Sequence, residues 1–140
     1  KFGPISTGHR QWKHKGHCSY VHGYGRYVRL TFEASELDER GWVMDFGDLK
    51  DIKRWIEAEW DHKVLIANDD PLLQQLKELE SHGGILLNVL PDGYYPGIEE
   101  SCRYLYDMLS PMIQKKTNNR VEITRVEIWE HENNSGEYVK

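Results

Sequence analysis

Two segments of the chain, residues 25–34 and residues 121–130, alternate apolar with polar residues in the pattern of half-buried β-strands. A period of two turns successive side chains to opposite faces, so one face of each strand should lie against a core. In the first segment the apolar phase consists of Val28, Leu30 and Phe32. In the second segment, one face carries Thr124, Val126, Ile128 and Glu130.

Three shorter segments predict further strands. Residues 35–41 are polar and end in glycine before apolar residues 42–44, which predicts a long hairpin with antiparallel pairing to the first strand. Residues 85–90 form an apolar run that Pro-Asp-Gly ends, as is typical of a strand followed by a turn. Residues 137–139 are expected to add a short terminal strand after a turn at 133–136.

Three other segments repeat apolar residues every three or four positions and predict helices. The first begins after Asp48, a plausible N-cap, and the second runs from Pro71 to a stop at Gly83. The third begins near Ile98, and Pro111 should disturb its last turn. The repeated positions are Leu49, Ile52, Ile56 and Trp60 in the first helix and Leu73, Leu76 and Leu79 in the second. In the third helix, Cys102, Leu105, Leu109 and Ile113 are expected on the buried side.

The order of these elements indicates the α+β class, with an antiparallel sheet and helices packed on one face. At 140 residues the chain is expected to form a single domain, 1–140. One face of the sheet would then need another cover, which oligomerisation can supply.

The composition of the chain argues against several classes of function. A net charge of −5 argues against a general nucleic-acid binder, because neutralising phosphates needs a basic surface. No apolar run approaches the roughly 20 residues of a membrane span, and the N-terminus lacks the pattern of a secretory signal. We therefore expect a cytoplasmic protein with no membrane or nucleic-acid partner, and two free thiols in a reducing compartment.

A local basic segment at residues 9–17 contains Arg10, Lys13 and Lys15. These side chains could meet a small phosphorylated ligand without making the whole protein basic. The alternative is a solvated basic loop, and composition alone does not separate the two.

The same segment opens a histidine cluster, in which four histidines and one cysteine occur within 14 residues. Two or three imidazoles with one open position are how proteins hold a catalytic zinc. A thiol beside such a site is a candidate acid or base, since positive surroundings favour the thiolate. The cluster consists of His9, His14, His17, Cys18 and His22.

Two further sites carry ionisable groups. Asp61 precedes His62, and a carboxylate next to a histidine can orient it, although adjacent side chains often diverge. Glu130 is in phase with Val126 and Ile128, so it can point inward. A buried carboxylate needs a partner, and the N–C–N edge of a pterin or guanine fits its two oxygens. The other interpretation of Glu130 is a solvated strand end.

Taken in order, these residues resemble the motifs of the 6-pyruvoyl/6-carboxytetrahydropterin synthase family over nearly the full chain. The family pattern has a histidine after a short strand, Cys-x-x-x-His-Gly-His, Gly-x-Val-x-Asp-Phe-x-x-Leu-Lys, Asp-His, and a late Glu followed by a Tyr. This chain has His9, Cys18-Ser19-Tyr20-Val21-His22-Gly23-Tyr24, Gly41-Trp42-Val43-Met44-Asp45-Phe46-Gly47-Asp48-Leu49-Lys50, Asp61-His62, and Glu130 with Tyr138.

The resemblance implies a T-fold subunit, an antiparallel sheet with two helices on one side. It also implies assembly into trimers and then hexamers, with active sites at subunit junctions. The implied roles are zinc ligands at His9 and His22, a proton-transfer thiol at Cys18, a relay at Asp61 and His62, a pterin anchor at Glu130 that also completes the relay, and a substrate contact at Glu99.

Tyr24 is the main departure, because the family has its third metal-binding histidine there. A phenol must lose a proton before it can bind zinc as a phenolate, so it is a poorer ligand than imidazole. Three outcomes stay open: Tyr24 binds as phenolate, His14 or His17 takes its place, or His9 and His22 alone hold metal weakly or not at all.

The resemblance implies an enzyme, a zinc-dependent lyase acting on 7,8-dihydroneopterin triphosphate. The favoured product is 6-carboxytetrahydropterin, with acetaldehyde and triphosphate released, on the route to 7-deazaguanines. The alternatives are the 6-pyruvoyl product and a non-catalytic pterin- or purine-binding protein. Retention of Cys18, Asp61 and His62 speaks against the last, since binding alone would need only Glu130.

Overall fold

A six-stranded sheet with three helices forms the fold, which a computed structural model describes for all of residues 1–140. The strands are β1 (Phe2–His9), β2 (His22–Ala34), β3 (Lys63–Ala67), β4 (Leu87–Leu90), β5 (Val121–His131) and β6 (Asn134–Val139). The helices are α1 (Leu49–Trp60), α2 (Leu73–Ser81) and α3 (Ile98–Lys116). None of the helices has the length and apolar character needed to cross a membrane.

The sheet is mixed, with strand order β4-β3-β1-β2-β5-β6. Strands β1, β2, β5 and β6 pair antiparallel, as predicted, but β3 is parallel to both β1 and β4. The prediction of a wholly antiparallel sheet is therefore wrong on one side. The α2 crossover makes β4 parallel to β3, since a helical connection returns the chain to start the next strand in the same direction. β3 is parallel to β1 because the chain runs back along β2 and returns through α1 before β3 begins.

The predicted hairpin between residues 25–34 and 42–44 does not form. β2 pairs instead with β1 on one side and β5 on the other, and residues 42–44 lie in a loop where Met44 alone is buried. The alternation in β1 is hard to detect because its buried phase, Ile5, Thr7 and His9, contains only one apolar residue.

α1 and α3 bury most of their repeated apolar positions, whereas α2 has no buried residue and its Leu79 is exposed. The helices also differ from the prediction at their ends. The side chain of Asp48 makes no capping hydrogen bond, whereas Asp45 accepts one from the backbone of Gly47 in the turn before α1. α2 begins at Leu73, two residues after Pro71. α3 continues through Pro111 to Lys116, so that proline does not end the helix.

One face of the sheet, here called the inner face, packs against α1 and α3. Val28 of β2 and Ile128 of β5 meet Ile56, Trp60 and the apolar side of α3, all fully buried. Thr124, predicted on this face, is displaced by a bulge in β5, where Thr31 pairs with Arg125 and Phe32 with Ile123. The extra residue shifts the phase and buries Ile123 and Val121 instead.

The two cysteines are free and lie in opposite environments, which predicts selective labelling. Cys102 is fully buried, as predicted, and burial raises the pKa of its thiol to about 12. Cys18 is exposed. Native protein treated with iodoacetamide near pH 8 should therefore gain one adduct by mass spectrometry, lost in Cys18→Ser and kept in Cys102→Ser. Two rapid adducts in the native protein would contradict this placement.

Candidate active site

The facing ends of β1 and β2 bring three predicted site residues together on the inner face. The register pairs His9 with His22 and Thr7 with Tyr24. The ring centroids of His9 and His22 are 4.3 Å apart, and the Tyr24 ring is 6.1 Å from His9 and 5.7 Å from His22. The residues expected as zinc ligands are thus neighbours, as the resemblance implies.

A buried arginine on the same face joins this cluster to Glu130. Tyr27 pairs with Trp129, which places Arg26 across from Glu130, and Nη2 of Arg26 donates to Oε1 of Glu130 at 3.0 Å. The same Nη2 lies 3.3 Å from Nδ1 of His9. Nη2 also donates to the carbonyl of Pro96 at 3.3 Å, and Nη1 donates to the hydroxyl of Ser101 at the start of α3, also at 3.3 Å.

The environment sets the charges of these groups. Burial lowers the pKa of Arg26 and the Glu130 carboxylate opposes that shift, and an arginine remains charged in either case. Burial, then Arg26 and His22, lower the pKa of His9 to about 3. His9 is therefore neutral near pH 7. Because the guanidinium can only donate, Nδ1 of His9 accepts and its proton lies on Nε2, 3.9 Å from Oε1 of Glu130.

His22 has the opposite hydrogen-bond arrangement. Its Nδ1 lies 2.7 Å from the carbonyl oxygen of Tyr20, so Nδ1 carries the proton and Nε2 keeps a free lone pair. A metal-binding histidine normally has this arrangement: one ring nitrogen binds the metal, and the other donates its N–H to an acceptor. His22 fits a metal, whereas the lone pair of His9 is directed at a cation.

The donor set does not fit a tetrahedral zinc ion. No three His, Cys, Asp or Glu side chains stand close enough to hold a metal. His14 accepts a hydrogen bond from its own loop at Gly16, and His17 packs near Tyr20. Neither of them completes a group of three possible ligands with His9 and His22. What remains is one free imidazole, one engaged imidazole and one phenol, beside a buried guanidinium. Zinc prefers three or four anionic or neutral lone-pair donors without a competing cation.

Cys18 lies in the loop between β1 and β2, within a short 3₁₀ turn, His17–Ser19. The backbone of Gln11 donates to the carbonyl of Cys18 at 2.8 Å. Arg10 donates to the carbonyl of Ser19 at 2.9 Å and forms a bidentate pair with the buried Asp70, at 2.6 and 3.0 Å. The exposed thiol is thus presented by a loop whose backbone is fixed.

The predicted basic patch is largely neutralised by this anchoring. Arg10 is paired with Asp70, and Nζ of Lys13 lies 2.7 Å from the Tyr95 hydroxyl and 3.7 Å from Asp69. Among the three cations only Lys15 is exposed without such a pair. The ion pairs and hydrogen bonds of Arg10 and Lys13 therefore hold the loop that carries Cys18, and they leave little free positive charge for binding a phosphate.

Asp61 and His62 contact each other, with Oδ2 of Asp61 3.0 Å from Nδ1 of His62. The left-handed backbone of His62, φ 58°, brings the adjacent side chains together. The backbone of Ser6 donates to Asp61, and the backbone of His62 donates to the carbonyl of Ser6. These contacts lie beside β1, and none of them reaches Cys18, so one chain does not assemble the predicted relay.

The profile of the family described as 6-pyruvoyl tetrahydropterin synthase matches residues 2–140. The chain belongs to this synthase family. A 6-carboxy-5,6,7,8-tetrahydropterin synthase of Rickettsia bellii is 29 % identical over 130 residues, covering 92 % of this chain and 90 % of that protein. The enzyme of the same name from Aquifex aeolicus is 25 % identical and covers 96 % of this chain and 92 % of its own length.

Solved structures show the T-fold of the synthase family. An uncharacterized protein of Wolinella succinogenes superposes with a TM-score of 0.80 at 23 % identity, over 97 % of this chain and 93 % of its own. The Plasmodium vivax 6-pyruvoyltetrahydropterin synthase superposes with a TM-score of 0.66 at 15 % identity, over 97 % and 90 %. The predicted family and α+β fold are confirmed.

Glu99, expected to contact substrate in this synthase-family chain, lies in the first turn of α3. It is exposed, and its carboxylate forms no salt bridge. Its position at the helix N-terminus is near Pro96, whose carbonyl accepts from Arg26. Glu99 therefore lies on the same side of the sheet as Glu130, and its role stays a prediction.

Two residues of this synthase-family site escaped the sequence analysis, Arg26 and Asp70. Arg26 occupies the apolar phase of β2 with Val28 and Leu30, and a charge in a buried phase is the signal that could have revealed it. Asp70 carried no such signal, because its partner Arg10 is 60 residues away and only the fold joins them.

Proposed function

We propose that this chain is a 6-carboxy-5,6,7,8-tetrahydropterin synthase, which converts 7,8-dihydroneopterin triphosphate and water to 6-carboxytetrahydropterin, acetaldehyde and triphosphate. The Rickettsia bellii and Aquifex aeolicus enzymes with this name align over at least nine-tenths of the chain and of their own lengths. The observation that carries the proposal is Glu130, a mostly buried carboxylate at the end of the inner face beside neutral His9. The 6-carboxytetrahydropterin formed by the enzyme would supply 7-deazaguanine synthesis in the cytoplasm.

Glu130 would anchor the pterin ring. Oε1 is held by Arg26, and Oε2 remains available, so the carboxylate is oriented before a ligand arrives. A fixed carboxylate accepts two parallel N–H bonds from an N–C–N edge, a strong and geometrically specific pair. Cys18 would transfer a proton at the side-chain carbon next to the ring, where the thiol needs exposure and a fixed backbone.

The relay from Asp61 and His62 would reach Cys18 across a subunit junction, in a trimer or dimer of trimers. The support is that the His62 side chain is 77 % exposed and that neither residue contacts Cys18 in its own chain. Apolar Tyr20 and Val21, which follow Cys18, are exposed and would be covered by a neighbour. A homo-oligomer would thus complete the site.

This arrangement predicts complementation between inactive variants. Cys18→Ala and His62→Ala should each be inactive alone, but unfolded together and refolded they should regain turnover, because some junctions combine an intact thiol with an intact histidine. Refolding each single variant together with the double variant Cys18→Ala/His62→Ala gives the baseline, since no junction then combines an intact thiol with an intact histidine. No recovery in co-refolded oligomers would place both groups within one subunit.

Zinc dependence, which the family resemblance implies, is not part of the proposed function, because the donors of His9, His22 and Tyr24 do not fit that ion. A metal bound there would act as a Lewis acid toward the side-chain hydroxyls. The steps assigned to Glu130 and Cys18 use the side chains of the protein itself.

Product analysis tests the proposed function. Purified protein is incubated with 7,8-dihydroneopterin triphosphate, and the pterin and aldehyde are identified by mass spectrometry. Carboxytetrahydropterin with acetaldehyde supports the proposal. Pyruvoyltetrahydropterin would replace it with the 6-pyruvoyl activity, and binding without turnover, with or without added zinc, would favour a pterin-binding protein.

A further inference from the structure

Arg26 is a buried cation with an unusual set of partners. Its side chain has no exposed surface, and its Nε has no hydrogen-bond partner. Its neighbours are Glu130, His9, the start of α3, and the Trp60 ring, whose centroid lies 5.7 Å from Cζ. Burying a guanidinium costs free energy that a single carboxylate only partly offsets. A buried cation that is present despite this cost is expected to have a function in the site.

The contact with His9 gives that role. Arginine has five N–H donors and no acceptor, so Nη2, 3.3 Å from Nδ1 of His9, must be the donor. A neutral imidazole that accepts at Nδ1 carries its hydrogen on Nε2. Coordinating a metal through Nε2 would require His9 to lose that hydrogen, and coordinating through Nδ1 would require Arg26 to leave. The first change would leave a buried imidazolate, and the second would break the buried contacts of Arg26.

We propose that Arg26 is the resident cation of this site: it holds His9 as a neutral Nε2–H hydrogen-bond donor and keeps His9 from coordinating a divalent metal. The N–H of His9 faces the side of Glu130, with Nε2 3.9 Å from Oε1. Arg26 is thus a positioning residue that acts through His9 and Glu130.

His22 provides a comparison for His9 within the same site. It has the same side chain on the adjacent strand, 4.3 Å from His9 between ring centroids, yet its Nδ1 donates to a carbonyl and its Nε2 stays free. The two imidazoles differ because one faces a guanidinium and the other a backbone oxygen. The inference concerns metal binding and ring tautomer alone, so it does not depend on the proposed reaction.

Zinc titration against a competing chelator tests the inference. Arg26→Met/Glu130→Gln removes the cation and its counter-charge together, so that neither is left buried and unpaired. Zinc should bind this double variant about tenfold more tightly than the parent. That change is within the range by which groups hydrogen-bonded to a metal ligand alter metal affinity. Adding Tyr24→His should tighten binding further, because it supplies a third imidazole. Circular dichroism and thermal melting confirm that each variant is folded.

The matched control is Arg29→Met/Glu127→Gln, the neighbouring ion pair on the same two strands, where Arg29 is half exposed. It should leave zinc affinity unchanged. Equal zinc affinity in the parent and in Arg26→Met/Glu130→Gln would overturn the role of Arg26. Tight zinc binding by the parent that is lost in both His9→Ala and His22→Ala would overturn it as well.

Ring tautomers give a second, metal-free readout. Long-range ¹H–¹⁵N NMR of the parent should show His9 with its hydrogen on Nε2 and His22 with its hydrogen on Nδ1, with His9→Ala and His22→Ala assigning the signals. In Arg26→Met/Glu130→Gln the His9 signals should move away from the pure Nε2–H pattern. A parent His9 protonated on Nδ1 would show that Arg26 does not hold the ring.

Discussion

Replacing Cys18 with alanine is expected to reduce turnover of 7,8-dihydroneopterin triphosphate by roughly 10²–10⁴-fold, the usual contribution of a general acid or base. Pterin affinity should stay the same, because Glu130 holds the ring and the thiol acts only on the side chain. The turnover number therefore falls while the dissociation constant does not, which distinguishes a chemical role from a binding role.

The control for this prediction comes from the same loop. Ser19→Ala changes the next residue, whose hydroxyl only bonds the carbonyl of Gly16, and it should keep turnover near that of the parent. Cys18→Ser keeps the size of the side chain but replaces the thiol with a far weaker acid, so it should be nearly as inactive as the alanine variant. Turnover in Cys18→Ala equal to that of Ser19→Ala would remove the thiol from the mechanism.

Removing the Glu130 carboxylate should give the largest loss of stability among substitutions in the site. Glu130→Ala leaves Arg26 fully buried without its counter-charge, and breaking a buried ion pair from one side costs about 3–5 kcal/mol of the free energy of unfolding. Denaturant unfolding measures the change. Arg26→Met/Glu130→Leu should recover most of it, because no unpaired charge then remains.

Glu127 is the comparison on the same strand. Its partner Arg29 is half exposed, so Glu127→Ala should cost only about 0–1 kcal/mol. In the milder variant Glu130→Gln, pterin binding should weaken by about 1.5–3 kcal/mol, the worth of a hydrogen bond to a charged group. If Glu130→Ala and Glu127→Ala lower stability equally, Arg26 and Glu130 do not form the buried pair described above.

Elements with a strong apolar period were predictable from sequence. α1 carries Ile52, Ile56 and Trp60 on one side, and its bounds follow from that repeat. β1 escaped because its buried phase includes Thr7 and His9, so its identity depends on pairing with β2 and β3 rather than on its own residues. β3 was also not predicted, because its five residues do not alternate between buried and exposed positions, and its parallel direction depends on its neighbours β1 and β4.

The candidate site was predictable residue by residue but not in its connections. His9, His22, Tyr24 and Glu130 were named from motifs, and the fold brings them to one end of the inner face. The hydrogen-bond direction at His9 was not predictable, because it depends on Arg26, 17 residues away. A motif states which groups are present, whereas lone-pair availability depends on what lies beside each group.

The position of β5 next to β2 also bears on how the chain folds. Arg26 and Glu130 are 104 residues apart in sequence, and every element from α1 to α3 lies between them. Closing so long a loop is entropically costly, and folds dominated by such contacts fold slowly. During synthesis the β1–β2 hairpin emerges before β5, with Arg26 lacking its counter-ion and the edge of β2 unpaired. We expect nascent chains to depend on chaperone protection until β5 leaves the ribosome.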